Sequence, residues 1–215
     1  MAAMKLFTFW RSSAAYRVRI ALNLKGQKFE SVPKQLREGE HRRADYLALN
    51  PQGLVPALEH EGVVLGQTLA IIEYLDERFP EPPLLPKSPV ARAQVRAMAQ
   101  HVACEIHPLN NLRTLNYLRQ QLGQNEDAIN RWIAHWITEG FRGLEEMVKR
   151  AGSDGRFCYG QSVTLADVLL VPQMYNAHRF KVDVSPFATL VKISAHLERL
   201  APFSEARPEA QPDAE

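Results

Sequence analysis

Three short stretches carry residue types able to do chemistry: Arg11-Ser12-Ser13, Val55-Pro56 and Gln67-Thr68. The first lies between an apolar alternating run and a helical pattern, so its hydroxyls fall where the chain turns from strand to helix. A serine there can cap the free amides of the first helical turn. The same amides and the helix dipole favour an anion just outside the helix. Two readings stay open: Ser12 and Ser13 only cap a helix, or they stand beside a bound anion or thiolate. Gln67-Thr68 precedes a second helical pattern and poses the same choice, with Thr68 a good N-cap and a carboxylate site the alternative. At Val55-Pro56 a proline begins a strand pattern and removes a ladder donor. A trans edge proline is the ordinary case; a cis bond leaves the backbone groups of Val55 free to pair with an extended ligand.

The elements that must position these residues follow from periodicity. Phe7 and Phe9 alternate with Thr8 and Trp10, and Val18, Ala21 and Leu22 then recur at helical steps until Gly26. Residues 28–32 read as a second strand closed by Pro33, and a strand-helix-strand crossover favours a parallel pair. A polar stretch over 34–49 ends weakly helical. A hairpin turning at Glu61-Gly62 follows. The pattern LAIIEYLDERF then puts Leu69, Ile72, Leu75 and Phe79 on one face. Residues 80–89 hold five prolines and no period, the mark of a linker. Beyond it the signals are helical: 90–121 kinked at Pro108, 126–150, a helix opened by Thr164 with Asp167 in a capping-box pattern, and 189–200. The tail from Ser204 reads as mobile. The fold class is therefore α/β plus all-α, with domains at 1–82 and 90–215 joined by 83–89.

Composition narrows the function. A net charge of +2, with basic and acidic residues interspersed, gives no electrostatic footprint for nucleic acid. No apolar run approaches the roughly 20 residues of a membrane helix. The N-terminus reads as lacking a signal peptide. Cys104 and Cys158 have neither metal-ligand nor disulfide spacing, so no metal is expected and a reducing cytoplasm is the natural setting.

The order of elements resembles the cytosolic glutathione transferases, with a thioredoxin-like first domain. Within them, Ser12-Ser13-Ala14-Ala15-Tyr16-Arg17-Val18-Arg19-Ile20-Ala21-Leu22 is similar to the zeta-class signature SSCxWRVRIAL. Asn50-Pro51, Val55-Pro56, Gln67-Thr68 and the run from Ile106 to Leu112 resemble further zeta positions. The resemblance implies a cis Pro56, with Val55 pairing to the cysteinyl part of glutathione. It also implies Gln67 and Thr68 at the γ-glutamyl end and His41 and Gln52 near the glycyl end. Ser12 then faces the sulfur, with Ser13 beside it, and His107 and Asn111 line the cleft from the helical domain. One position departs: Ala14 stands where the signature has cysteine, which puts chemistry through a protein thiol in doubt.

The implied reaction is glutathione-dependent cis-trans isomerisation of maleylacetoacetate in aromatic breakdown, with maleylpyruvate as the alternative substrate. Such diacids call for arginine, whose planar fork matches a carboxylate. Arg11, Arg113 and Arg179 are the candidates, Arg11 and Arg179 also serving catalysis; Arg17 and Arg19 are expected to serve structure or solvent. A general glutathione transferase and a non-catalytic scaffold are the competing classes. The family also implies a homodimer.

Overall fold

The computed structural model describes residues 4–215. Strand β1 (Met4–Thr8) leads through a turn into helix α1 (Ser13–Leu24), and β2 (Phe29–Pro33) returns parallel to β1. Gly26, at φ 62°, supplies the left-handed residue that ends the helix. A 3-10 turn (Glu40–Arg42) and helix α2 (Ala44–Leu49) precede β3 (Ala57–His60) and β4 (Val63–Leu65), a hairpin turning at Glu61-Gly62. The four strands lie in the order β2-β1-β3-β4, with β3 antiparallel to β1 and to β4. Helix α3 (Thr68–Arg78) packs against α1. Leu6, Ile20, Leu22, Leu58, Ile71, Ile72 and Leu75 are fully buried between sheet and helices. Of the expected face of α3, Ile72 and Leu75 are buried and Ile71 joins them, whereas Leu69 and Phe79 are only half-buried.

The chain divides into two compact units. One runs up to Pro83 and is rejoined by Arg199–Glu215, and the other is Leu84–Glu198. The proline-rich stretch is less free than its composition suggests. Leu84 and Leu85 are buried, and the Leu84 carbonyl accepts from the Leu165 amide.

The second unit is helical, with α4 (Pro89–Gln100), α5 (Leu112–Gln120), α6 (Glu126–Arg150), α7 (Leu165–Arg179) and α8 (Ala188–Leu197). The kink expected at Pro108 is a longer interruption. A π-helical turn (His101–Ile106) and a 3-10 turn (His107–Asn110) separate α4 from α5. Asp167, fully buried, accepts from the Thr164 amide at 2.7 Å and from the Cys158 amide at 2.7 Å, so its side chain closes the start of α7. Burial pushes its carboxyl up, and those bonds work against the rise.

The tail that reads as mobile from its composition is packed in the structure. Helix α9 (Ala201–Ser204) and a 3-10 turn (Pro208–Ala210) pack on the first unit, with Phe203, Ala206 and Pro208 buried. Apolar residues at spacings of three and two are buried in a segment whose other residues are half-buried or exposed.

Glu145 ties α6 to α8. Its two oxygens accept from the Thr189 and Leu190 amides at 3.1 and 3.0 Å, capping a helix from outside. Burial raises its carboxyl, but these bonds and Lys149 at 3.2 Å outweigh it and hold the group below the usual 4.5. Glu145→Ala is expected to lose about 1–3 kcal/mol of stability at neutral pH. A depressed carboxyl contributes stability that is present above its unfolded value and lost as pH falls through its folded one. The gap between parent and variant therefore narrows below about pH 4, as urea unfolding followed by helical circular dichroism at the two pH values will show.

Candidate active site

Helix α1 begins because Ser12 supplies what its first turn lacks. Ser12, extended at φ −69° and ψ 117°, is the N-cap, and its Oγ accepts from the Ala15 amide at 3.2 Å. Its carbonyl accepts from the Tyr16 amide, and its own amide donates to the Phe9 carbonyl at 3.0 Å, closing the turn that holds Trp10 and Arg11. The cap uses only an acceptor lone pair of Oγ, so the hydroxyl proton stays available to a ligand. The Ser13 and Ala14 amides have no partner among the described residues. Ser12 and Arg11 are half-buried and Ser13 is buried. The Arg11 guanidinium lies over the Trp10 ring, 5.0 Å from its centroid, which fixes a cation beside the serine.

The Val55-Pro56 bond is cis, as the resemblance implied. The β3 ladder starts at Ala57, opposite Phe7, so the Val55 amide and carbonyl lie outside it. The Val55 side chain packs on Phe7, Tyr46 and Ala57. The Leu54 carbonyl is held twice, by the Tyr46 hydroxyl at 2.7 Å and Asn50 Nδ2 at 2.9 Å. Burial raises the Tyr46 phenol, which therefore remains a donor.

Gln67 donates to Gln52 at 3.1 Å, joining the start of α3 to the 50–54 loop. Gln67 itself, not Thr68, is the N-cap of α3; Thr68 is the first helical residue. Gln67 adopts φ 66° and ψ 118°, a conformation costing of order 1–3 kcal/mol in a non-glycine residue. Its side chain makes no capping bond, so the strain is not offset by a cap. His41 lies in the 3-10 turn with its carbonyl against Gly53, where a Cβ would meet it at 2.9 Å. Burial, and then the Arg42 charge, lower His41 from 6.5, so at neutral pH its ring is an uncharged hydrogen-bonding group. Arg11, Ser12, Ser13, His41, Gln52, Val55, Pro56, Gln67 and Thr68 thus all belong to the first unit.

His107, Asn111, Arg113 and Arg179 belong to the second. Residues 101–106 of the π turn lie against α6, where a Cβ on Gly140 would come within 2.3 Å of the Ile106 side chain. His101 also bonds the Gly140 carbonyl at 2.8 Å. This close approach fixes the segment that leads into His107. Asn111 caps α5, accepting from the Arg113 amide at 3.2 Å, which leaves its NH₂ group pointing two donors elsewhere. Arg113 and Arg179 are exposed, and the Arg179 guanidinium stacks 4.8 Å from the Phe180 ring centroid.

Residue types alone did not reveal the supports. Tyr46 and Asn50 act through carbonyls that no motif marks. Arg19, expected to serve structure or solvent, is 1% exposed and bonds the Trp10 carbonyl at 2.9 Å. Asp213 accepts from the Trp10 amide at 3.0 Å although it lies in the stretch read as mobile. The one available signal for Arg19 was an arginine inside an apolar helical stripe.

Residues 2–77 match the family model for the glutathione S-transferase N-terminal domain. The chain is 50% identical to a probable maleylacetoacetate isomerase of Vibrio cholerae, over 100% of both chains. It superposes on a maleylpyruvate isomerase, described as a bacterial zeta-class glutathione S-transferase in its holo form, with a TM-score of 0.96 and 46% identity, covering 98% of this chain and 100% of that one. A maleylacetoacetate isomerase from Anaeromyxobacter dehalogenans is 40% identical, with a TM-score of 0.88 over 100% of this chain and 98% of the other. That structure holds dicarboxyethyl glutathione and citrate in its active site.

Gly53 and Gly39 give a paired test of how the His41 turn is held. Both have left-handed backbones, φ 56° and 72°, but an added Cβ meets His41 O and Leu47 at 2.9 Å only at Gly53. Alanine at Gly39 is expected to cost about 1 kcal/mol from backbone strain alone. Alanine at Gly53 should cost at least about 1 kcal/mol more, from the clash. Equal losses in chemical denaturation would show that the 50–54 loop does not depend on this approach.

Proposed function

The chain belongs to the zeta class of the glutathione transferase family, and from that premise we propose that it isomerises maleylacetoacetate to its fumaryl isomer with glutathione as cofactor. The observation that carries the reading is Ser12, an N-cap whose oxygen is used by the helix and whose proton is not. A double bond conjugated to a carbonyl cannot rotate. Addition of the glutathione thiolate to one alkene carbon makes that bond single and places the negative charge on an enolate. After rotation the enolate expels the thiolate, leaving the trans product and regenerating the cofactor. The dicarboxyethyl glutathione bound to the A. dehalogenans relative is, in its chemistry, a thiolate-alkene adduct of a four-carbon diacid, the same kind of bond.

The thiolate is the first requirement. A free thiol has a pKa of about 8.5, and half-ionising it at pH 7 takes about 2 kcal/mol. A hydrogen bond to a charged sulfur contributes about 1.5–3 kcal/mol, and a helix N-terminus about 0.3–1 kcal/mol. The Ser12 hydroxyl with the Ser13 and Ala14 amides is therefore sufficient. Val55 is assigned to the cysteinyl backbone of the tripeptide and Gln67 and Thr68 to its γ-glutamyl end. His41 and Gln52 are assigned to the glycyl end, with His107 and Asn111 as further ligands. Arg11, Arg113 and Arg179 are assigned to substrate carboxylates and to the enolate charge.

Maleylpyruvate is the second substrate candidate, favoured by the maleylpyruvate isomerase among the similar structures. We take the working form to be a cytoplasmic homodimer, as in the family generally.

Purified protein given each substrate, with and without glutathione, is expected to form a fumaryl isomer only when glutathione is present. Turnover without it would remove the mechanism, and no turnover of either substrate would favour a general transferase or a scaffold. Ser12→Ala should lower kcat/KM at neutral pH by about tenfold to a hundredfold and move the acid limb of its pH profile up by about one to two units. Arg179→Ala should raise KM for the diacid while leaving glutathione affinity nearly unchanged. Equal weakening of both ligands would place Arg179 outside the substrate site.

A further inference from the structure

The Phe9–Ser12 turn is closed by one backbone bond, Ser12 N–H to Phe9 O. That bond uses neither polar backbone group of Trp10, a residue only 6% exposed. Both groups are satisfied from elsewhere. The Trp10 amide donates to Asp213 Oδ2 at 3.0 Å, and the Trp10 carbonyl accepts from Arg19 Nη2 at 2.9 Å. Arg19 spreads its other nitrogens over the end of β1, through Thr8 Oγ1 at 3.2 Å, and over the C-terminal segment, through the Ala206 carbonyl at 2.9 Å.

The same face of α1 grips that segment twice more. Tyr16 Oη donates to the Phe203 carbonyl at 3.2 Å and Asn23 Nδ2 to the Pro202 carbonyl at 3.1 Å. Glu215 accepts from Gln35 at 3.2 Å and lies 3.8 Å from Arg37, so the segment is also held beyond Asp213. A stretch of chain remote in sequence therefore reaches the turn by two routes, directly through Asp213 and through Arg19.

We infer that residues 202–213 are a positioning segment for the catalytic turn: with Arg19, Asp213 holds the N–H and C=O of Trp10 and so sets where Arg11 and Ser12 stand. The inference rests on the isomerase reading of Ser12 and Arg11. The two residues that follow Trp10 carry the proposed sulfur donor and a proposed carboxylate clamp, and a displacement of about 1 Å at such groups can cost on the order of a hundredfold in rate. Arg19 and Asp213 touch neither cofactor nor substrate in this account; they act through Trp10.

The test uses the full chain carrying Asp213→Ala or Asp213→Asn, since an asparagine oxygen can still accept from Trp10. Amide hydrogen exchange at Trp10, the pH profile of kcat/KM and the thermal midpoint are measured on each. Asp213→Ala is expected to speed Trp10 exchange about tenfold, lower kcat/KM at neutral pH about tenfold and move the acid limb of the profile to higher pH, with the thermal midpoint nearly unchanged. Asp213→Asn should recover most of the loss, and Arg19→Lys, which keeps the charge but not the fork, should shift the profile the same way. Trp10 exchange and pH profile unchanged in Asp213→Ala would overturn the inference. So would an Asp213→Asn variant as impaired as the alanine one, or a rate loss that merely tracks a lower thermal midpoint. Failure of the isomerase reading shows separately, as a parent protein without glutathione-dependent turnover, and the exchange rates then decide the positioning on their own.

Discussion

An α-helix cannot satisfy its first amides internally, and the fate of those amides at the start of α1 governs what the first unit can do. Ser12 takes one of them, from Ala15, and those of Ser13 and Ala14 have no partner among the described residues. The arrangement stabilises the helix, and the proposed thiolate site draws on the same atoms. Capping and thiolate binding are therefore not rival explanations of Ser12. The first needs an oxygen lone pair and the second needs the hydroxyl proton, and one hydroxyl supplies both.

A site of this kind works only if the turn before the helix stays in place, and much of the surrounding polar structure bears on that. Val55 lies two residues before β3, and the carbonyl before it is fixed by Tyr46 and Asn50. Gln67 is kept in a left-handed conformation and bonded to Gln52. Strain of this size persists where surrounding structure over-determines it, and here the neighbours are the loop and helix assigned to one ligand. Carbonyls with side-chain donors are the recurrent device: Leu54 receives two, and Trp10, Ala206 and Phe203 one each.

Much of this was legible in the sequence, because the features that set fold class are periodic. The strand-turn-helix opening, the parallel β2, the hairpin at Glu61-Gly62 and the long α6 were all marked by period and turn chemistry. What escaped depended on contacts between distant positions. The C-terminal segment has the composition of a mobile tail, but the Phe203 and Ala206 carbonyls accept from Tyr16 and Arg19 of α1, and Pro208 is buried. Thr68 looked like the cap because threonine is a good one, whereas the turn places Gln67 there at a positive φ. The interruption at 101–110 exceeds what one proline requires, because Gly140 lets the π turn approach α6 closely. In each case a local preference was right about chemistry and silent about the neighbour that used it.

Ala14 bears on the choice among reactions. It is buried in the first turn of α1, where the signature carries cysteine, and the two cysteines of the chain, Cys104 and Cys158, lie in the other unit. Burial pushes the Cys158 thiol well above its ordinary range, which removes it as a nucleophile. The first unit itself therefore holds no cysteine that could form a mixed disulfide with glutathione at this turn. In the addition–rotation–elimination sequence the sulfur leaves as the thiolate it arrived as, with no change in oxidation state. A turn holding serines and no cysteine is consistent with that sequence, in which no protein thiol takes part.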